Sequence, residues 1–484
     1  MQRSFRLSEK IELPADTVII VPDAPAGLER SCSGSGCGGC SAAAVIRAID
    51  QNKFLAISPS IASHVVLDRS LLSAFKSITK GATLGSVLDD LTAEYGPEPA
   101  GERLRLVLQH LSFRNFFSGA ERHETEPDYP YLHMYVTNRC NLRCKHCYMS
   151  SGVAHPDEID ESDQLRAIEI FADACPGGRV TFTGGEALLS RGIYRLMGCA
   201  RELGLRVELF TNGVLIKSLE IAKRVARAAD LVQISLDGAT AEVNDAIRGA
   251  GSFRGITRAI MLFDEVKDDP EFEAFEFRVA MTLTATNADD IYENALGLKE
   301  QLNLRRRPEI RIGTTSKLGR ANDFPELTGE VEELRAEQAR IVSKFSSQGM
   351  HRMPYRPVNR YFGSCGMGLS ITIDARGDIF PCSITDQSRL GNIRDADSAE
   401  VIRSVFLRFY STKVDLVEGC QKCPLRYACG GICRIVNANT NGTMNKSACT
   451  PTYKQGQIRS LIARYKTYGL ADLDQEKERE YENA

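Results

Sequence analysis

The chain has 484 residues, of which 43% are hydrophobic and 25% charged, and its formal net charge is −3. That composition is ordinary for a globular protein of about two to four domains. It offers no broad basic field for nucleic acid or anionic lipid, and no apolar run approaches the ~20 residues of a membrane helix.

The opening stretch, "MQRSFRLSEKIELPADTVIIVPDA", lacks a basic segment followed by an apolar one, so no signal peptide is expected and a cytoplasmic location is. Residues 1–50 hold an expected short strand, "DTVIIV", and then "SCSGSGCGGC", which places Cys32, Cys37 and Cys40 in a flexible Gly/Ser background. Residues 51–120 read as a small independent unit. "HVVLD" is a predicted strand, and "SLLSAFKSI", "LGSVLDDLTAEY" and "ERLRLVLQHLSF" carry the apolar spacing of helices. Thr83 is a candidate N-cap, and "YGPEPAGE" is a turn-rich break.

Over 128–325 the pattern changes. Short apolar runs ("YLHMYVT", "RVTFTGG", "RVELFTNG", "LVQISLDG", "FEFRVAMTLTA", "EIRIGTTS") alternate with helical stretches. Such alternation implies βα units on a parallel sheet, here an α/β fold whose six strands make a partial, TIM-like (β/α)6 barrel. Functional residues are then expected at the C-terminal strand ends, where the glycine-rich and polar motifs do fall. Residues 326–358 contain "GEVEELRAEQARIVSKF", a charged helix expected to act as a linker; 359–455 is cysteine-rich, and 456–484 is a helix with a charged tail.

The 15 cysteines are the anomaly. Without an export signal disulfides are unexpected, and clustered cysteines read as metal or iron–sulfur ligands. Cys175 and Cys199 stand alone and read as small buried hydrophobes. "VTNRCNLRCKHCYMSSG" sets Cys140, Cys144 and Cys147 on the loop after the first barrel strand. Three thiolates there can hold three corners of an iron–sulfur cube and leave the fourth iron open to a chelating cofactor. The alternative is structural zinc with His146 as fourth ligand, which would crowd the loop. Farther on, Cys365, Cys382, Cys420, Cys423, Cys429, Cys433 and Cys449 fall within 85 residues; one or two structural zinc sites are the alternative there.

On these motifs, residues 131–325 resemble the radical S-adenosylmethionine (SAM) enzymes. The resemblance implies a SAM-binding [4Fe–4S] cluster on Cys140, Cys144 and Cys147, with Tyr148 near the adenine. It implies that Gly184 and Gly185 bring the backbone to the amino group of SAM, which Glu186 also contacts, although Ala187 stands where the family often has proline. It makes Ser235 and Asp237 ribose or carboxylate contacts and puts Arg248 near the SAM carboxylate. The implied chemistry is one-electron cleavage of SAM to a 5′-deoxyadenosyl radical that abstracts a hydrogen atom.

The later cysteines resemble the SPASM extension, which carries two auxiliary [4Fe–4S] clusters, three in all. The resemblance implies Cys420, Cys423, Cys429 and Cys449 on the outer cluster and Cys365, Cys382 and Cys433 on the inner one, which is left one thiolate short; the open iron is left to a substrate thiolate, water, an uncharged side chain, or one of Cys32, Cys37 and Cys40, whose plainest reading is a flexible thiol-bearing loop. Enzymes of this kind mostly modify peptides or proteins. Residues 51–120 resemble, more loosely, a winged-helix element that grips leader peptides by strand addition, the alternative being an accessory helical domain without a ligand. The expected function is a peptide maturase forming a thioether or related cross-link, with a flavodoxin- or ferredoxin-type reductant. Rival readings are a formylglycine-generating maturase, a tetrapyrrole-modifying enzyme, and a non-catalytic iron–sulfur carrier or sensor. Asp374 and Asp378, near Cys382, are candidate proton carriers, against a bland reading as turn residues.

Overall fold

The computed structural model describes residues 5–20, 53–124, 130–328, 359–382 and 389–465, apart from Asp289, Ser316 and Phe362, together with isolated positions between 334 and 341. Cys32, Cys37 and Cys40 lie outside the described residues. The chain forms two compact units: residues 1–126, 354–365 and 413–484 make the first, and 127–353 and 366–412 the second.

In the first unit, β1 (Val18–Ile20), β2 (Lys53–Ser58) and β3 (Ser63–Asp68) form an antiparallel sheet in that order. Three helices follow: α1 (Leu72–Thr79), α2 (Leu84–Tyr95) and α3 (Pro97–Phe113). Thr83 caps α2 as expected, its hydroxyl accepting from the Ser86 N–H at 3.2 Å. "YGPEPAGE", read as a break, instead begins α3 at Pro97, because proline suits the first helical position, where no N–H is needed. Side chains alternate across the sheet. Phe54, Ala56, Val65 and Leu67 pack into a core with Phe75, Val87, Leu91 and Val107 of the helices. Leu55, Ile57 and Val66 face the other way and are covered by Leu425, Ile458, Ile462 and Tyr465. Burial on both faces explains why "FLAI" reads as a continuous apolar run. The two-residue strands β4 (His123–Glu124) and β11 (Arg360–Tyr361) pair in parallel.

The second unit realises the six expected strands: β5 (Tyr131–Tyr135), β6 (Arg179–Thr183), β7 (Arg206–Thr211), β8 (Leu231–Ser235), β9 (Glu276–Leu283) and β10 (Glu309–Thr314). All run parallel, in sequential order. Between them lie α4 (Glu161–Ala174), α5 (Ile193–Glu202), α6 (Leu219–Ala228), α7 (Ala241–Arg248), α8 (Ser252–Val266) and α9 (Ile291–Gln301). Asp160, Ser218 and Thr240 cap α4, α6 and α7. Residues 366–412, expected within the cysteine-rich domain, extend this sheet: β12 (Ser370–Ile373) pairs in parallel with β5, and β13 (Asp378–Phe380) and β14 (Gly391–Asn392) continue it antiparallel.

Alternate strand residues such as Met134, Phe182, Leu209, Ile234 and Met281 join the helices in one core. The opposite face is polar, with Arg179 3.2 Å from Glu208 and Arg278 Nε donating to Gln233 at 2.8 Å. The segment expected to be a linker contributes Leu334 and Ile341 to the barrel core. Their spacing of seven puts both on one helix face, a stripe hidden in sequence by the surrounding charges.

His110 of α3 is buried, with Nδ1 2.9 Å from the Tyr465 hydroxyl, and burial pushes its pKa down to about 4. The unfolded imidazole takes up a proton below about pH 6.5, so stability is full above that value and declines as pH falls towards 4, by about 3 kcal/mol in all. Urea unfolding at pH 7 and pH 4.5 should show this decline shrinking by that order in His110→Gln; equal declines in the two proteins would refute it.

Candidate functional site

The three cysteines of the first cluster sit on the loop leaving β5, at the C-terminal end of the barrel. Backbone N–H groups of Leu142 and Ser151 point at the sulfurs of Cys140 and Cys147, each at 3.4 Å. Cys144 Sγ lies 3.9 Å from the Arg248 carbonyl. Burial pushes Cys144 up to about 11, partly opposed by the Arg248 charge, and Cys147 and Cys140 raise it further, so the three thiols lie within electrostatic reach of one another. Among the described residues, no three such donors are drawn to the spacing of a single metal ion.

Several side chains expected to touch SAM turn inward to hold this loop. Asp237, at the end of β8, is fully buried; Oδ2 lies 2.6 Å from Arg248 Nε and 2.5 Å from His146 Nε2, and Oδ1 accepts from the Thr282 N–H at 2.8 Å. Burial alone would raise its pKa, but Arg248 and His146 outweigh it and hold the carboxyl well below the usual range. Asp237 is therefore a clamp between cluster loop, α7 and β9, not a free ribose contact, and Arg248 is committed to it. His146, the alternative zinc ligand, is the clamp's third member.

Glu186 is likewise buried. Oε1 accepts from the Thr211 hydroxyl at 2.8 Å and the Leu188 N–H at 3.1 Å, and Oε2 accepts from the Asn212 N–H at 2.8 Å. It ties the ends of β6 and β7 together, so its carboxylate is already engaged. Gly184, at φ +131°, and Gly185 lie against the carbonyls of Thr137 and Arg139, where any Cβ would collide. Their immediate purpose is this close approach to the loop from β5. Ser235 ends β8 on the polar face, level with Ala280.

Tyr148 is half exposed, and its hydroxyl lies 2.6 Å from that of buried Tyr135. Burial, then Tyr148, Cys382 and Asp374, keep the Tyr135 hydroxyl protonated, which places Cys382 near the barrel mouth. Asp374 closes the turn, as in the bland reading, whereas Asp378, the first residue of β13, braces the pairing with β14. Asp374 Oδ1 accepts from the N–H groups of Arg376 and Asp378, each at 2.9 Å, and Asp378 Oδ1 accepts from Arg389 and Asn392.

One site residue, Arg320, escaped the sequence reading, and a second, Asn212, enters it only as part of the motif "FTNG". Arg320 donates to the carbonyls of Cys144 at 2.7 Å and Ser151 at 2.6 Å, bracketing the cluster loop. Asn212 donates to Asn141 at 2.8 Å. Both follow strand ends, in "FTNG" and "KLGRAN", and that position was the available signal.

Among the later cysteines, four come together. Burial, and after it Cys429, Cys423 and Cys420, push Cys449 up to about 11, so all four thiols feel one another, and Lys454 offsets the effect at Cys423 and Cys449. Cys365 and Cys433 belong to the first unit and Cys382 to the second.

Comparison with known proteins bears on this arrangement. Residues 134–269 match the Radical SAM superfamily, and residues 365–424 match SPASM, an iron-sulfur cluster-binding domain. The mycofactocin maturase MftC of Mycobacterium ulcerans is 30% identical over 322 residues, 62% of this chain and 81% of that protein. The chain belongs to the radical SAM superfamily. The sporulation killing factor maturation protein SkfB of Bacillus subtilis is 29% identical over 271 residues, 55% of this chain and 63% of that one. The structure of anSMEcpe with bound AdoMet aligns with a TM-score of 0.52 at 19% identity, covering 69% of this chain and 96% of that one, a likeness of fold.

As a radical SAM enzyme it uses a SAM-binding [4Fe–4S] cluster with SAM, and its SPASM region carries auxiliary clusters. The donor set fits: thiols only, close together, with backbone N–H groups aimed at two sulfurs. Arg320 is expected to hold the loop in its cluster-binding shape. Arg320→Ala removes two charge-assisted bonds worth about 1.5–3 kcal/mol each. It should bind less iron at this site after reconstitution and gel filtration, with Arg320→Lys intermediate; full iron content in both would exclude the role.

Proposed function

We propose that this radical SAM enzyme is a peptide or protein maturase, acting in a reducing cytoplasm, that forms a thioether or related cross-link. The observation that carries the reading is the trio Cys140, Cys144 and Cys147 on one partly buried loop, braced by Asp237, Arg248 and Arg320. When bound there, the reduced cluster with SAM supplies a 5′-deoxyadenosyl radical that takes a hydrogen atom from substrate. Cys140, Cys144 and Cys147 are its ligands. In this reading Tyr148 and Ser235 contact SAM, while Gly184, Gly185 and Glu186 shape the wall beside it.

Cys420, Cys423, Cys429 and Cys449 hold the outer auxiliary cluster, and Cys365, Cys382 and Cys433 are the remaining candidate auxiliary-cluster ligands. The similarity to two maturation proteins favours a peptide substrate. So does the sheet of the first unit, where, among the described residues, β3 is an edge strand able to pair with an extended leader peptide. A flavodoxin- or ferredoxin-type protein supplies the electrons.

Reduced anaerobically with SAM, the reconstituted enzyme should release 5′-deoxyadenosine, and Cys144→Ala should abolish this. Coexpression with a short cysteine-containing peptide encoded beside it should lower the peptide's mass by two hydrogens per cross-link. Absence of 5′-deoxyadenosine refutes radical chemistry; an unchanged peptide mass refutes cross-linking. Separately, Cys423→Ala should lose the iron of one cluster while 5′-deoxyadenosine formation persists, and unaltered iron content would overturn the outer-cluster assignment.

A further inference from the structure

The four-cysteine site of the first unit lies in a basic setting that contrasts with the rest of the chain. From Lys413 to Gly456 the sequence has six basic residues and two acidic ones, in a chain whose net charge is −3. Arg434 is buried, its guanidinium bonded to the carbonyls of Ile432 and Gly430. Arg426 and Asp415 are paired at 3.6 Å, with Asp415 also accepting from the Tyr427 hydroxyl. Three cations remain around the thiols. Lys422 is exposed between Cys420 and Cys423. Lys446 is exposed on a segment that bridges to Glu418, two residues before Cys420, through the Glu418 N–H to Asn445 carbonyl bond at 2.7 Å. Lys454 stands beside Cys423 and Cys449. Among the described residues none of these three makes an ion pair, and Glu418 is the one acid of the stretch outside a pair. Cys449 is at the surface, and Leu416, four residues before Cys420, is 53% exposed.

We propose that this surface is the docking site of an acidic one-electron carrier of the flavodoxin class, which exchanges electrons with the outer auxiliary cluster. The inference rests on the assignment of that cluster to Cys420, Cys423, Cys429 and Cys449. Electron-transfer encounters are small and short-lived, and charge complementarity sets their rate more than buried area does. A site with one cysteine at the surface, unpaired exposed lysines within three residues of its thiols in sequence and an exposed leucine four residues before Cys420 has those properties, and a carrier of net negative charge is the complementary partner. The exchange moves one electron: the anionic flavin hydroquinone is oxidised to the neutral semiquinone, the cluster is reduced by one charge, and no proton moves.

The test uses the anaerobically reconstituted holoenzyme and a recombinant bacterial flavodoxin. Binding is read by biolayer interferometry, and reduction of the auxiliary clusters by electron paramagnetic resonance. The double variant Lys422→Glu/Lys446→Glu should weaken binding about tenfold at low salt and slow flavodoxin-driven reduction to match, with reduction by dithionite unchanged. The wild-type affinity should fall as ionic strength rises. Lys80→Glu, an exposed charge on the same unit, serves as control and should change neither. Should the double reversal prevent cluster assembly, Lys422→Gln/Lys446→Gln should give the same effect at smaller size. Equal binding by wild type and the variants, or equal loss in Lys80→Glu, overturns the proposal. Iron content measured in parallel separates that failure from loss of the cluster itself.

Discussion

Asp237 is a carboxylate with no solvent exposure, and removing such a group from water costs several kcal/mol unless charges and donors replace the water. Arg248, His146 and the Thr282 N–H replace it. The geometry of the barrel mouth follows from meeting that requirement. His146 lies between Cys144 and Cys147, so fixing its ring fixes the loop that carries both thiols. Arg248 ends α7 and offers its carbonyl to Cys144, so the same ion pair sets the helix end against the loop. Remove the carboxylate and a buried guanidinium is left uncompensated, the costlier half of breaking such a pair.

Glu186 plays the corresponding part on the other side. Its two oxygens gather the Thr211 hydroxyl and the N–H groups of Asn212 and Leu188, so the ends of β6 and β7 are joined through one side chain. Gly184 and Gly185 let that segment lie against the loop from β5. The acids therefore form the frame, and the space they frame is left to thiols, backbone groups and the half-exposed Tyr148. Charged side chains with fixed partners cannot also reorganise around a ligand, which suits a site that must present cofactors in one geometry.

The parts legible in sequence are those encoded within a few residues. Each barrel strand shows as an apolar run ending in a polar motif, and each cysteine group shows by spacing. What stayed hidden depends on partners far away in the chain. Asp237 meets His146 across 91 positions and Glu186 meets Asn212 across 26, so neither acid advertises that its carboxylate is spent. Arg320 reaches back 176 residues to Cys144. Ser370–Ile373 was read with its cysteine neighbours, yet its hydrogen-bonding edge matches β5, more than two hundred residues earlier. Pairing of this kind is chosen by the free edge of a sheet and leaves no local mark.

The two cysteine groups are treated differently by their surroundings, and the contrast follows from burial. At the first loop, Arg248 is buried and paired, so its charge steadies the loop without reaching solvent. Around the later four cysteines the buried Arg434 bonds backbone carbonyls, while Lys422 and Lys446 face water. A charge in a low-dielectric interior acts strongly on what it touches and little beyond, because its partner cancels its field; an unpaired surface charge acts weakly at contact but is felt out to about a Debye length, ~10 Å at moderate salt. The first arrangement serves a site that must hold its own parts in place. The second suits the docking proposed for this surface, in which a carrier protein finds the site from solution.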